Sequence, residues 1–179
     1  MTHLPESPDA PHLRPATPDD ADRLSALAIQ VYLDTYATQG VSQGLAREAL
    51  TLMSSGAFAE RAQQPHLRLI LAEKGDGLVG FAEMALNAGP APGTSQEGAE
   101  LVRLYVQPAF QRSGVGGLLI EAAEQLARAA QRPSLWLTAW EGNHRARAFY
   151  AKRAYADHGA TVHWIEGQPI GNRVLVRLL

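Results

Sequence analysis

Residues Ala99 to Gln131 read AELVRLYVQPAFQRSGVGGLLIEAAEQLARAAQ. The segment opens as an apolar run of β character and closes as a helix with an apolar stripe. Between the two lies Gln111-Arg112-Ser113-Gly114-Val115-Gly116-Gly117. A glycine-rich turn from a strand into a helix presents backbone N–H groups with no side chains in the way. The first N–H groups of a helix have no internal partner, and the helix dipole adds partial positive charge there. That combination favours an anion, most often a phosphate.

The glycine spacing narrows the choice. No Lys-Ser/Thr follows the glycines, so this is not the P-loop pattern, and the spacing is not G-x-G-x-x-G. It reads Gln-x-x-Gly-x-Gly, which resembles the pyrophosphate-binding motif of the GNAT superfamily of N-acetyltransferases. A plain alternative for these six residues alone is a helix start whose glycines only permit a tight turn.

Bulk composition sets outer limits. The chain has 179 residues, 46% of them hydrophobic and 19% charged, with net charge −2. That length fits one globular domain with a real core. The near-neutral charge gives no reason to expect nucleic acid or an anionic membrane as partner. With no cysteine, disulfides, Cys-ligated zinc and thiol catalysis are excluded. The first residues carry no apolar signal-like region, and no apolar stretch approaches about 18 residues, so a soluble cytoplasmic protein is expected.

Working outward, Met1–Pro11 holds three prolines and two acids and reads as a disordered tail. Residues 12–179 are expected to form one domain. His12 to Ala16 reads as an edge strand because of Pro15. Thr17-Pro18-Asp19-Asp20 is a helix start, with Thr17 as cap, Pro18 at the first helical position and Asp20 where a capping-box acid belongs. Leu24, Leu27, Ala28 and Val31 follow at helical spacing, and Tyr32 and Tyr36 end the helix. Ser42 opens a second helical stretch with Leu45, Ala49, Leu52 and Met53 on one side, and residues 57–64 form a further piece. Strands are expected over 67–72 and 78–86, joined by a hairpin, then a loop over 87–98.

After the central stretch, Pro133 stops the helix and residues 134–140 read as a strand. Strand, helix, strand in that order makes a βαβ unit, so those strands should be parallel neighbours. A helix from His144 to Arg153 and strands over 160–165 and 173–178 complete the chain. The sum is a mixed α/β (α+β) fold: a mostly antiparallel sheet with one parallel pair, flanked by about four helices.

A second motif strengthens the resemblance. Asn143-His144-Arg145-Ala146-Arg147-Ala148-Phe149-Tyr150-Ala151-Lys152-Arg153-Ala154-Tyr155 looks like the second half of the GNAT signature, an Asn opening a helix with Phe-Tyr in its middle. The family's glycine at the helix exit is replaced by Ala154. Leu13 to Ala21 matches a common GNAT opening, so the resemblance spans nearly the whole chain. It implies an acetyl-CoA-dependent acyltransferase with no metal, monomeric or homodimeric. The pyrophosphate would lie on the N–H groups of Arg112, Ser113, Gly114, Val115, Gly116 and Gly117, with Gly114 and Gly116 clearing the way for the phosphates. The pantetheine arm would run along Leu104-Tyr105-Val106 like an added strand, where the parallel partner splays away, and Asn143 would hydrogen-bond it.

Amine acetylation needs a deprotonated amine, a donor for the carbonyl oxygen and an acid for the departing thiolate. The Val106 N–H and Tyr150 suit the last two; the bland reading of Tyr150 is packing on the sheet, a role Phe149 can take. For the base, Glu83, in an apolar strand, lies either on a solvent side or in a polar site, and Glu100 heads the cofactor strand. A water chain is an alternative, and His163 and His66 are weaker candidates. The basic run Arg145, Arg147, Lys152, Arg153 reads first as a solvated face. Trp136, Trp140 and Trp164 read as core or pocket wall, and Tyr32 and Tyr36 as bordering the acceptor. The expected activity is transfer of acetyl to a primary amine, on a small molecule, a protein N-terminus or lysine, by direct attack in a ternary complex. Rival readings are an acyl-CoA sensor on the same fold and a nucleotide binder.

Overall fold

The computed structural model describes residues 10–165 and 167–179. The expected tail over Met1–Pro11 therefore lies outside the described residues for positions 1–9. The elements run β1 (His12–Pro15), α1 (Ala21–Tyr36), α2 (Gln43–Leu52), α3 (Ser55–Arg61), β2 (Leu67–Lys74), β3 (Gly77–Pro90), β4 (Glu97–Val106), α4 (Val115–Ala129), β5 (Ser134–Trp140), α5 (His144–Ala151), β6 (Ala156–Ile165) and β7 (Gln168–Leu178). The described residues hold five α-helices, in line with the expected four or so, and Ser54 caps α3 by accepting from Ala57 N–H at 3.2 Å.

The strands form one seven-stranded sheet in the order β1-β2-β3-β4-β5-β7-β6. Every neighbouring pair is antiparallel except β4–β5. Both faces are covered. Leu69 and Leu71 of β2 pack with α1 and with Phe58 of α3, while Ile70 and Ala72 pack with α4 residues Leu119, Ile120 and Ala123. That two-sided burial is why the strand reads as a continuous apolar run and not as an alternation. The α1 start is built as its sequence implies: a short 3-10 turn over Pro18–Asp20, with the Asp20 carboxylate accepting from Thr17 N–H at 2.8 Å.

Several boundaries depart from local signals. The loop expected over 87–98 shrinks to 91–96, because the ladder resumes beyond a bulge with Gly89 opposite Gly98 and Pro90 opposite Glu97, and Trp136 Nε1–H donates to Gly89 C=O at 3.1 Å. The C-terminal strands lengthen into a hairpin; Gly159, at φ 123°, absorbs the bulge that lets residues 156–157 pair with β7. Leu52 is 41% exposed, off the stripe expected of α2. Trp164 is 63% exposed and is not core, because β6 is the outermost strand of the sheet.

Two features shape the sheet centre. β4 and β5 pair only at Ala99–Leu135 and Glu100–Trp136, then separate. In β4 the register against β3 slips at Val102, since Glu83 faces Arg103 while Met84 faces Leu101. A bulge of this kind bends its strand and flips the side-chain alternation. Ala99 and Leu101 face the α4 core, and beyond the bulge Leu104 and Val106 take over that face, while Tyr105 turns toward α1.

Candidate active site

The parting of β4 from β5 opens a cleft of about 480 Å³ that leads to the start of α4. Gln107 N–H bonds Val79 C=O on β3 at 2.9 Å. Backbone groups of an antiparallel strand alternate in direction, so the N–H and C=O of Val106 and Leu104 point to the other edge, the one β5 has left. Tyr105 spends its backbone on β3 and enters the cleft wall through its side chain, whose ring sits 5.5 Å from that of Phe81. The open edge is therefore an unpaired strand edge of the sort an extended ligand completes.

At the far end stands the glycine turn. Arg112 has φ 67° and Gly114 φ 92°, both left-handed, which turns successive N–H groups toward one side. The first helical bond of α4 runs from Leu118 N–H to Gly114 C=O at 3.1 Å, so the N–H groups of Val115, Gly116 and Gly117 stand ahead of it at the helix start. Gln111 braces the turn: its Nε2–H donates to Val106 C=O at 3.1 Å and its Oε1 accepts from Arg145. Ser113 Oγ–H donates back to Phe110 C=O at 2.6 Å.

The glycines also meet needs of the chain itself. A β-carbon on Gly114 would meet nothing within 4 Å; its requirement is the positive φ. On Gly116 it would touch the Phe149 ring at 3.4 Å, and on Gly117 it would lie 2.9 Å from Arg153 Nη2. Clearance for α5 side chains, not only for a ligand, keeps these two positions bare. Val115, by contrast, points inward and is buried under the sheet.

Most of the sequence candidates meet here. Leu104, Tyr105, Val106, Gln111, Arg112, Gly114, Gly116, Gly117, Asn143, Tyr150 and Tyr36 all line the cleft. Asn143 Oδ1 caps α5 by accepting from Ala146 N–H at 3.0 Å, leaving its amide hydrogens for other partners. Tyr150 is 7% exposed, and burial pushes its phenol well above the ordinary tyrosine value, so it keeps its proton at neutral pH. Tyr32 sits behind Tyr36, ring centroids 4.9 Å apart, and is buried outside the cleft wall.

The basic run on α5 divides in a way the solvated-face reading does not anticipate. Arg145 and Arg153 line the cleft with Phe149, whereas Arg147 pairs with Asp157 at 3.9 Å. Arg145, Phe149 and Arg153 are four residues apart, one stripe of the helix and its first following turn; that spacing was the available signal. Arg103 is a further member of the wall that its place in the sequence does not single out. Among the described residues the cleft wall holds four arginines, Arg103, Arg112, Arg145 and Arg153, and no carboxylate, in a chain of net charge −2.

Glu83 and Glu100 lie behind that wall. Glu83 is 2% exposed in a polar site, bound by Arg103 Nη1 at 2.5 Å and by Arg61 Nε at 3.6 Å. Burial, with the charge of Glu83 second, raises the Glu100 carboxyl, against an opposing pull from Arg103. His163 reaches Glu48 at 3.2 Å, away from the cleft, and His66 is also outside it. No group of three or more His, Asp or Glu among the described residues is placed to hold a metal, and no helix there is long and apolar enough to cross a membrane.

Comparison with known proteins decides the family. The model of the acetyltransferase (GNAT) family matches residues 32–155. The chain belongs to this family. An uncharacterized N-acetyltransferase of Mycobacterium tuberculosis is 29% identical over 163 residues, covering 89% of this chain and 98% of its own. One of Lactobacillus delbrueckii is 23% identical over 134 residues, 75% of this chain and 78% of the relative. Among solved structures, the PaiA N-acetyltransferase of Thermoplasma acidophilum, in complex with coenzyme A, superposes with TM-score 0.75 at 19% identity, covering 95% of this chain and 99% of that one. A GCN5-related N-acetyltransferase from Rhodopseudomonas palustris gives TM-score 0.73 at 26% identity over 99% and 100%. This GNAT acetyltransferase shares with them the mixed sheet and its single parallel pair.

Proposed function

We propose that residues 12–179 act as one N-acetyltransferase domain that moves the acetyl group of acetyl-CoA directly to a primary amine bound beside it. The observation that carries this reading is the wall of four arginines without a carboxylate, leading from an unpaired strand edge to a helix start whose N–H groups are free. A ligand with a diphosphate at one end and an amide-bearing arm at the other matches both halves of that surface. Arg112, Arg145 and Arg153 hold the phosphates together with the N–H groups of residues 112–117. The edge of Leu104 and Val106, with the Asn143 amide, holds the arm. Bound there, the coenzyme supplies an acetyl thioester.

The chain's own groups then have distinct tasks. The Val106 N–H donates to the carbonyl oxygen as it gains charge. Tyr150, protonated because it is buried, gives its proton to the sulfur that departs. With no carboxylate in the wall, the amine proton leaves through water toward Glu100, whose surroundings raise its proton affinity; Glu83 is held by two guanidinium groups. Release of free thiol from acetyl-CoA in the presence of a panel of primary amines tests the reading. Amine-dependent thiol release is expected, and coenzyme binding without turnover across the panel overturns it in favour of a sensor.

A further inference from the structure

A second pocket, also of about 480 Å³, lies between the α1–α2 connection and the β6–β7 hairpin. Tyr36 and Trp140 belong to the walls of both cavities, with ring centroids 5.6 Å apart and planes tilted at 44°. The two rings thus form a shared aromatic gate between the coenzyme cleft and the space beyond it. Behind the gate the wall is built from Leu45 on α2, Ile165 at the end of β6 and Ile170 on β7. The polar members among the described residues are neutral, a serine, two glutamines and a glycine backbone, and none of the lining side chains is charged.

From this we infer that the acceptor is a monoamine with an aryl or branched-alkyl body, which lies behind the Tyr36–Trp140 gate while its nitrogen faces the cleft. The inference rests on the acetyltransferase reading and names the substrate class for it. Three observations carry it. The pocket adjoins the cleft across the two shared rings, so a molecule seated in it lies next to the acyl end of the strand edge. Its volume suits a small organic group and its walls are aromatic and aliphatic, the usual make-up of a site for an apolar ligand. Finally, among the described lining residues of both cavities no carboxylate offers a counter-ion for a second ammonium, Glu48 near Tyr36 being paired with His163, while four arginines of the cleft repel one. A polyamine or a lysine-rich peptide would have to desolvate extra positive charge with no carboxylate among the described lining residues to pair it. An amine with a single nitrogen loses that charge when it is deprotonated for attack.

The test uses the full chain with saturating acetyl-CoA, comparing 2-phenylethylamine and isoamylamine with spermidine and a lysine-containing tetrapeptide. The expected result is a kcat/KM for the two apolar amines at least about 30-fold above that for spermidine and the peptide. Leu45→Asp and Ile170→Asp, on separate elements and both half-buried, should lower it at least about tenfold. The KM for acetyl-CoA, which serves as the control for folding, should stay unchanged. Preference for spermidine or the peptide overturns the inference, as does indifference to both substitutions. Should no amine be acetylated, the reaction reading fails, and the pocket is decided by saturation-transfer NMR of 2-phenylethylamine with the coenzyme-loaded protein. Binding that Ile170→Asp removes supports the apolar site; absence of binding refutes it.

Discussion

The guanidinium of Arg153 lies over the Phe149 ring, 3.9 Å from its centroid, and its Nη2 occupies the space a side chain on Gly117 would need. The contact locks a cation just beyond the end of α5 against the first turn of α4, in the wall of the proposed coenzyme cleft. Removing the cation with Arg153→Ala should raise the KM for acetyl-CoA by about tenfold, roughly the worth of one charge-assisted phosphate contact. Gly117→Leu, which displaces the same guanidinium without deleting it, should produce a rise of similar size. Steady-state kinetics with acetyl-CoA varied would show both, and an unchanged KM in the alanine variant would remove Arg153 from the site.

Gly114 holds its left-handed conformation next to the free N–H groups of α4. Gly114→Glu adds strain of about 1 kcal/mol and sets a carboxylate where phosphates are to sit. Acetyl-CoA binding should become undetectable by calorimetry in a protein that still melts cooperatively. Retained affinity would place the diphosphate elsewhere.

Tyr150 is buried in the cleft wall, between Phe149 at 5.1 Å and Tyr155 at 5.5 Å centroid distance. Tyr150→Phe keeps that packing and deletes only the hydroxyl. Turnover should fall by about 100-fold or more, with acetyl-CoA affinity nearly intact. Equal turnover in the variant would show that the thiolate is protonated by another group.

Ala154 ends α5 at φ 62°, in the conformation that glycine adopts without strain. The replacement Ala154→Gly should stabilise the fold by about 1 kcal/mol, with no change in kinetics. Urea denaturation measures it directly. A loss of stability would mean that the methyl group's packing outweighs the backbone strain.

Asp20 is 4% exposed and accepts from Arg14, Thr17 N–H and Arg23. The Arg14 hydrogen bond comes first in holding its carboxyl well below the ordinary 3.8, against the opposing effect of burial. Since the folded value lies below the unfolded one, the contribution is full above the unfolded value and is lost as pH falls through the folded one. Asp20→Asn should cost about 2 kcal/mol at neutral pH, the pair being only partly screened by solvent. It should also flatten the fall in melting temperature below about pH 4. Parallel acid limbs in both proteins would show that Asp20 titrates as an ordinary carboxyl.

What could be read along the chain was what short-range physics settles. Thr17-Pro18-Asp19-Asp20 leads into α1, and β5 covers Ser134–Trp140 as expected, although α4 already ends at Ala129, four residues before Pro133, where Gln131 turns left-handed at φ 57°. The glycine turn precedes a helix because backbone sterics and N–H orientation are local matters. Those features placed the residues of the proposed coenzyme half of the cleft. The proposed acceptor half depended on register and contact between distant segments. The slip at Val102 decides that Arg103 and Tyr105 turn away from the α4 core, and it exists only relative to β3. Likewise Glu83 sits in a polar site rather than in solvent because Arg61 of α3 and Arg103 of β4 arrive there from different parts of the chain. The meeting of Tyr36 with Trp140 follows from where α1 lies across the parted strands. Local order can be written in neighbouring residues, but the pairing of remote side chains is settled only when the sheet twists and the helices close on it.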